Sequence, residues 1–238
     1  MKEIEDKSID MILCDLPYGT TACKWDVVIP FEPLWKLYKR VIKDNGAIVL
    51  TASQPFTSLL ITSNIKYFRH SWIWEKTRPA NFMNSGYQPM KYHEDVLIFG
   101  INKVNFFPIR ITGEKNHASK PRNGKSRIYN LDNNKAGIDV NNKKLPHSII
   151  KIKSTDSTQN IHPTQKPVKL FEYLIKTYTN EGETVLDNCS GSGTTAIACL
   201  ELNRNFICIE KDPKYYELSV KRVNDYKSQV PMEFQKVI

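Results

Sequence analysis

The chain has 238 residues, 40% of them hydrophobic, with a net charge of +9 and a pI near 9.2. That is enough apolar material for one elaborated domain or two small ones, and the charge favours an acidic partner, nucleic acid first. Five cysteines (14, 23, 189, 199, 208) show no metal-ligand spacing, MKEIEDKSID holds no apolar leader, and no run approaches the ~18 apolar residues of a membrane span, so the expectation is free thiols, no metal, no membrane and a cytoplasmic protein.

In chain order, IDMILC (9–14) reads as a buried strand that ends at Asp15. PLWKLYKRVIK (33–43) has helical spacing and stops at Asn45-Gly46. AIVLT (47–51) is a second strand, and residues 54–64 form a helix starting near Ser53. HSWIWEK (70–76) alternates as a half-buried strand, and EDVLIFG (94–100) is a further strand. PVKLFEYLIKTY (167–178) is an amphipathic helix opened by proline. TVLD (184–187) is a strand, TTAIACLELN (194–203) a helix, FICIE (206–210) a strand and PKYYELSVKRVNDY (213–226) a helix. Strands and helices in alternation predict an α/β fold with a mostly parallel sheet.

Between the two halves, residues 101–160 hold twelve Lys/Arg against four acids, a net +8 of the chain's +9. The segment is rich in Asn, Ser, Gly and Pro and has little periodicity, so it reads as an insertion. A solvated loop is one account of it. Concentrated charge favours a nucleic-acid surface, with Arg110, Lys120, Arg122, Lys125, Arg127, Lys143 and Lys144 as phosphate contacts. The division expected is therefore 1–100, 101–160 and 161–238, the outer two being halves of one domain.

TVLDNCSGSGTTAIA (184–198) is strand, glycine turn, helix. Gly191 and Gly193 let backbone approach a ligand, and Glu210, nineteen residues beyond Gly191, can hold ribose hydroxyls from the next strand tip. A GxGxxA turn alone fits a dinucleotide as well as an adenosyl ligand. Asp187 favours the latter, because a carboxylate there suits the sulfonium and ammonium of S-adenosyl-L-methionine better than a pyrophosphate.

Asp15-Leu16-Pro17-Tyr18 lies at a strand's carboxyl end, where open α/β sheets bind ligands. The lone pair of an exocyclic base amine is delocalised into its ring. A carboxylate and a backbone carbonyl accepting its two hydrogens favour a pyramidal, nucleophilic nitrogen. Pro17 stiffens the backbone that aims the Leu16 carbonyl, and Tyr18 offers a flipped base a stacking face. A β-turn with a capping Asp is the alternative for the tetrapeptide alone.

Together these motifs resemble the permuted, β-class DNA amino-methyltransferases of the adenine-N6 and cytosine-N4 family. That family places a D/S/N-P-P-Y motif before its glycine motif, with a target-recognition region between them. Here DLPY (15–18) precedes DNCSGSG (187–193), and the basic segment lies between. HPTQKP (162–167), RNFICIEKDPKYYELSVKR (204–222), Trp74-x-Lys76 and His93-Glu94-Asp95 are also similar. The resemblance implies a Rossmann-like methyltransferase fold and direct methyl transfer from S-adenosyl-L-methionine to a base in double-stranded DNA, adenine N6 before cytosine N4. It implies catalytic roles for Asp15, Leu16, Pro17 and Tyr18. Asp187, Asn188, Cys189, Gly191, Gly193, Thr194, Thr195 and Glu210 would hold the cofactor, with Thr164, Gln165 and Lys166 near its methionine end; homodimers are frequent in the family.

Two departures stand out. Leu16 replaces the commoner first proline, and only MKEIEDKS precedes the first strand, so the edge strand that members usually carry there is expected to be missing. The absence of a Pro-Cys pair argues against carbon-5 chemistry, and Cys23, Cys189, His93 and His162 read as structural. The aromatic-rich NFMNSGYQPMKY (81–92) reads either as a loop near the target base or as surface packing. A nicotinamide-dependent oxidoreductase and a catalytically weak DNA-binding remnant are the rival readings.

Overall fold

A computed structural model describes residues 1–21, 23, 25–112, 143–154 and 165–229. Its elements are β1 (Ile9–Asp15), α1 (Phe31–Val41), β2 (Ile42–Ala52), α2 (Phe56–Ser63), β3 (Phe68–Ala80), β4 (Lys91–Phe99), β5 (Ile111–Thr112), β6 (Lys143–Lys144), β7 (Ile149–Lys151), α3 (Val168–Tyr178), β8 (Thr184–Asp187), α4 (Thr194–Glu201), β9 (Asn205–Cys208) and α5 (Pro213–Gln229). The chain divides into two units, Met1–Phe107 with Ser148–Ile238, and Pro108–His147. Within the smaller unit, β5 and β6 pair antiparallel.

The larger unit is built on one sheet in the order β7-β3-β4-β2-β1-β8-β9. β1 runs parallel to both β2 and β8, β8 parallel to β9, and β3 parallel to β7; only β4 runs antiparallel to its neighbours. Among the described residues, β9 is the last strand on its side. Alternation along each strand divides the core in two. Met11, Leu13, Val49, Trp72 and Val185 pack with α3 and α4, whereas Ile12, Cys14, Ile48, Leu50 and Leu186 pack with α1 and α2. That is a doubly wound α/β arrangement, and β1 and β8 sit where the strand order reverses.

Two segments depart from the sequence expectation. β2 begins at Ile42, directly after α1, rather than beyond the Asn45-Gly46 turn signal. The register jumps there, from Ile9 opposite Ile42 to Met11 opposite Ala47, so the extra residues are taken up as a bulge. Gly46 is where backbones meet: a Cβ there would lie 2.7 Å from the Asp10 carbonyl. The second difference is β7. Its three residues extend the sheet from a stretch with no readable periodicity, helped by Trp74 Nε1 donating to the Ile152 carbonyl at 2.9 Å.

Candidate active site

β1 is buried from Ile9 to Cys14 and emerges at Asp15, at the carboxyl end of the central parallel strands. Leu16 turns back into the core, and the Tyr18 ring stacks on Phe56 at 5.1 Å and 25°. The Tyr18 hydroxyl lies 2.8 Å from Asp15 Oδ1 and 3.1 Å from Thr51 Oγ1. Thr51, at the end of the neighbouring strand, also donates to Asp15 Oδ1. On the other carboxylate oxygen, Lys166 Nζ donates to Asp15 Oδ2 at 2.7 Å.

Lys166 continues the chain of charges. Its ammonium is 3.3 Å from Glu94 Oε2, and Lys76 Nζ donates to Glu94 Oε1 at 2.8 Å. Burial works to raise the Glu94 pKa, but the two ammonium groups outweigh it and hold the carboxyl below its ordinary value. Burial likewise works to lower Lys166, and Asp15 and Glu94 outweigh it, so the ammonium is held above its usual range. Burial, then the Asp15 and Glu94 charges, push the Tyr18 phenol well up, so it stays a neutral donor.

The loop after the DLPY motif is organised by its own last residue. Asp26 accepts the backbone N–H groups of Gly19, Thr20 and Thr21 at 2.8, 2.9 and 2.7 Å. Burial works to raise this carboxyl, but the N–H groups aimed at it prevail and hold it below its ordinary value. Gly19 takes a φ of +70°, which lets the chain fold around the carboxylate.

β8 runs beside β1, pairing Met11 with Val185 and Ile12 with Leu186, so the glycine loop opens at the same sheet edge as Asp15. Asp187 is buried there, accepting the Cys189 N–H at 3.0 Å and the Thr195 hydroxyl. Burial is the main cause that raises its pKa to about 6. Gly191 and Gly193 have φ of +49° and +74°, and Gly191 N donates to Glu210 Oε2 at 2.7 Å. The second Glu210 oxygen takes Asp212 N at 2.8 Å. Asn188 Oδ1 accepts the Tyr38 hydroxyl at 2.6 Å, and its amide donates to Cys189 Sγ at 3.4 Å. Thr194 Oγ1 donates to the Lys166 carbonyl at 3.5 Å, and Arg222 Nη1 donates to the Ser192 carbonyl at 3.0 Å.

The structure thus brings Asp15 and Tyr18 together with Lys166, and Asp187, Asn188, Cys189, Gly191, Gly193, Thr194 and Thr195 together with Glu210. Pro17 and Gln165 are half-buried beside these groups in the chain. The Lys166 ammonium meets Asp15 and Glu94, and its carbonyl accepts the Thr194 hydroxyl of α4. Thr164, Lys120, Arg122, Lys125, Arg127 and His162 lie outside the described residues. Arg110, Lys143 and Lys144 belong to the smaller unit. His93 is exposed, and so are Phe82 and Tyr87, at 66% and 80%, which leaves the 81–92 segment's rings uncovered among the described residues. Sequence reading assigned no site role to Thr51, Lys76, Glu94, Asp26 or Arg222. Lys76 and Glu94 stood in stretches already noted as similar to the family; Thr51 carried no signal beyond ending an apolar strand.

The donor set fits S-adenosyl-L-methionine. Asp187 is a buried carboxylate with no cationic side chain paired to it among the described residues, so a cationic ligand would relieve its burial. The two left-handed glycines shape the turn between β8 and α4 beside that carboxylate.

Comparison with known proteins agrees. The DNA methylase family, comprising N6 and N4 methyltransferases, matches residues 9–221. The type II methyltransferase M.HpaI of Haemophilus parainfluenzae is 29% identical over 94% of this chain and 71% of its own length. M2.MboI of Moraxella bovis is 28% identical over 100% of this chain and 89% of its own. Among solved structures, the M1.HpyAVI–SAM complex superposes with a TM-score of 0.61 at 25% identity, covering 91% of this chain and 89% of that one. The cytosine-N4-specific PvuII DNA methyltransferase shares the fold, with a TM-score of 0.63 at 14% identity over 96% of this chain and 87% of that one. On its sequence motifs, its sheet order and this match, the chain belongs to the N6/N4 DNA methylase family.

Proposed function

We propose that the protein transfers a methyl group from S-adenosyl-L-methionine to the exocyclic amine of a flipped base in double-stranded DNA, with adenine N6 as the target. One observation carries this reading: β1 and β8 are parallel neighbours, so the Asp15–Tyr18 motif and the glycine loop open side by side at one sheet edge. When bound, S-adenosyl-L-methionine supplies an electrophilic methyl group. Asp187, Asn188, Cys189, the loop from Gly191 to Thr195 and Glu210 would hold it, with Thr164, Gln165 and Lys166 near its methionine end.

Asp15 and the Leu16 carbonyl accept the two amine hydrogens and aim the nitrogen, Pro17 keeps that backbone fixed, and the Tyr18 ring supports the base. Alignment of this kind needs no covalent nucleophile. Adenine is favoured because family members with Asp at this motif position are mostly adenine enzymes. The basic segment, with Arg110, Lys120, Arg122, Lys125, Arg127, Lys143 and Lys144, meets the phosphates, and the exposed Phe82 and Tyr87 face the DNA beside the displaced base. Free thiols at all five cysteines support a reducing, cytoplasmic setting for this activity.

The test is methylation of genomic DNA by the purified protein with isotopically labelled cofactor, followed by nucleoside analysis. N6-methyladenine is expected. N4-methylcytosine would move the target to the family's other base, and unlabelled DNA would overturn the reading.

A further inference from the structure

α5 is long but shallowly seated. Of its 17 residues only Ser219 is buried. A cavity of about 510 Å³ lies along one flank, lined by Ile197, Leu218, Lys221, Asp225 and Tyr226. A second, of about 160 Å³, lies between Phe206 and Cys208 of β9 and Tyr216 and Val220 of α5. Ser219 and Arg222, at i and i+3 on one face of the helix, border one cavity each.

Both residues touch the glycine loop. A Cβ on Gly193 would lie 3.1 Å from Ser219 Cβ, so helix and loop are in close contact there. Arg222 Nη1 donates to the Ser192 carbonyl at 3.0 Å and lies 3.4 Å from the hydroxyls of Ser192 and Thr194. Ser192 stands between the two left-handed glycines. The start of α5 grips the same loop from another side. Glu210 binds Gly191 N with one oxygen and Asp212 N with the other, and Asp212 Oδ1 caps α5 through Lys214 N at 2.9 Å. Farther along, the Tyr226 hydroxyl donates to Glu201 at the end of α4.

We propose that α5 is a clasp for the glycine loop and that Arg222 is a positioning residue for the cofactor: its guanidinium fixes the Ser192 carbonyl, and with it the turn that meets S-adenosyl-L-methionine. The proposal rests on the glycine loop being the cofactor site. Two glycines lose much backbone entropy when they are ordered. A planar guanidinium reaching a carbonyl and two hydroxyls supplies that order before the cofactor arrives. The coupling is reciprocal, so bound cofactor favours the docked helix by the same factor that the docked helix favours cofactor. With so little of α5 buried, its docking is the equilibrium that this coupling moves most.

The test uses the full chain and S-adenosyl-L-methionine in calorimetry. Arg222→Met keeps the stem and removes the donors, and should weaken cofactor binding about tenfold, the worth of one hydrogen bond to a charged group. Arg222→Lys restores the charge but not the fork and should recover part of the loss. Lys221→Met, at the exposed neighbour, should bind like the wild type. In methylation assays Arg222→Met should raise the KM for cofactor by a similar factor and leave kcat at saturating cofactor within about twofold, since a filled loop is already ordered. Hydrogen exchange gives a readout on the unaltered protein: cofactor should slow the amides of α5 together with those of 191–195. An arginine that serves packing alone would lower thermal stability and leave the affinity of the folded protein unchanged. Wild-type affinity in folded Arg222→Met, or α5 amides indifferent to cofactor in the wild-type protein, would overturn the proposal. If Arg222→Met does not fold, Arg222→Lys and the exchange experiment decide it. A wild-type protein that binds no cofactor would instead sink the assignment of the glycine loop beneath it.

Discussion

At the scale of single residues, two carboxylates at one sheet edge stand in different surroundings. Asp15 is half-exposed, ringed by Tyr18, Thr51 and Lys166, whereas Asp187 is buried against the Thr195 hydroxyl, the Cys189 N–H and the Cys14 thiol, with no cationic side chain paired to it among the described residues. Asp15→Ala should lower methyl transfer by at least about a hundredfold, the size of effect seen when one preorganised polar group is lost from a catalytic site. Calorimetry should find cofactor binding retained if, as proposed, Asp15 supports the base and not the adenosyl group.

Asp187 gives a pH signature. Its pKa, raised to about 6 by burial, means the folded state prefers the protonated carboxyl. Its contribution to stability is therefore full below the ordinary carboxylate pKa of about 4 and is lost as pH rises through about 6. A cationic cofactor reverses the preference, since it favours the anion. Cofactor affinity should be highest above pH 7 and decline as pH falls through about 6, and Asp187→Asn should be weaker but flat over this range. An equally flat wild-type profile in calorimetry at pH 5.5 and 7.5 would remove Asp187 from the cofactor's charge balance.

Among the elements, the loop after β1 has the most direct test. Asp26 gathers three backbone N–H groups from Gly19 to Thr21 and so shapes the stretch that follows the DLPY tetrapeptide. Asp26→Ala should cost about 1–2 kcal/mol in urea unfolding at pH 7. Because the Asp26 pKa is held down, its stabilisation is present above the ordinary carboxylate pKa and lost as pH falls through the lowered one. The deficit of the variant should accordingly shrink in strong acid.

How far these elements were legible depended on how local their causes are. Apolar runs such as IDMILC and TVLD, and the amphipathic spacing of 167–178, placed strands and helices within a few residues, because burial on one face shows in a short window. β7 was hidden, since three residues carry no period and its stability comes from β3 and the Trp74 bond to Ile152. The start of β2 was hidden for the opposite reason: Asn45-Gly46 reads as a turn but serves a bulge beside Asp10. At the site, Asp15 and the glycine loop could be read from their motifs. The Asp15–Lys166 pair could not, because 151 residues separate its partners and only the fold joins them. Thr51 and Glu94 were obscured in the same way.

Over the whole molecule, charge and chemistry are carried by different parts of the chain. Residues 101–160 hold +8 of the net +9, while the sheet edge holds the titrating cluster. If the basic segment meets phosphates, DNA affinity should fall steeply with salt. Replacing Lys120, Arg122, Lys125 and Arg127 by Gln should flatten the slope of log K against log salt by about 3–4 units, at about 0.9 per phosphate lost. Cofactor affinity should not change. An unchanged salt slope would return the segment to a solvated surface.

The central claim is that β1 and β8 assemble one methyl-transfer site from the Asp15–Tyr18 motif and the glycine loop. It is tested most directly by incubating purified protein with DNA and labelled S-adenosyl-L-methionine, then digesting the DNA to nucleosides. The account predicts label on the exocyclic nitrogen of adenine for the wild-type protein and none for Asp15→Ala. Label on a ring carbon, equal labelling by Asp15→Ala, or no label from folded wild-type protein would contradict it.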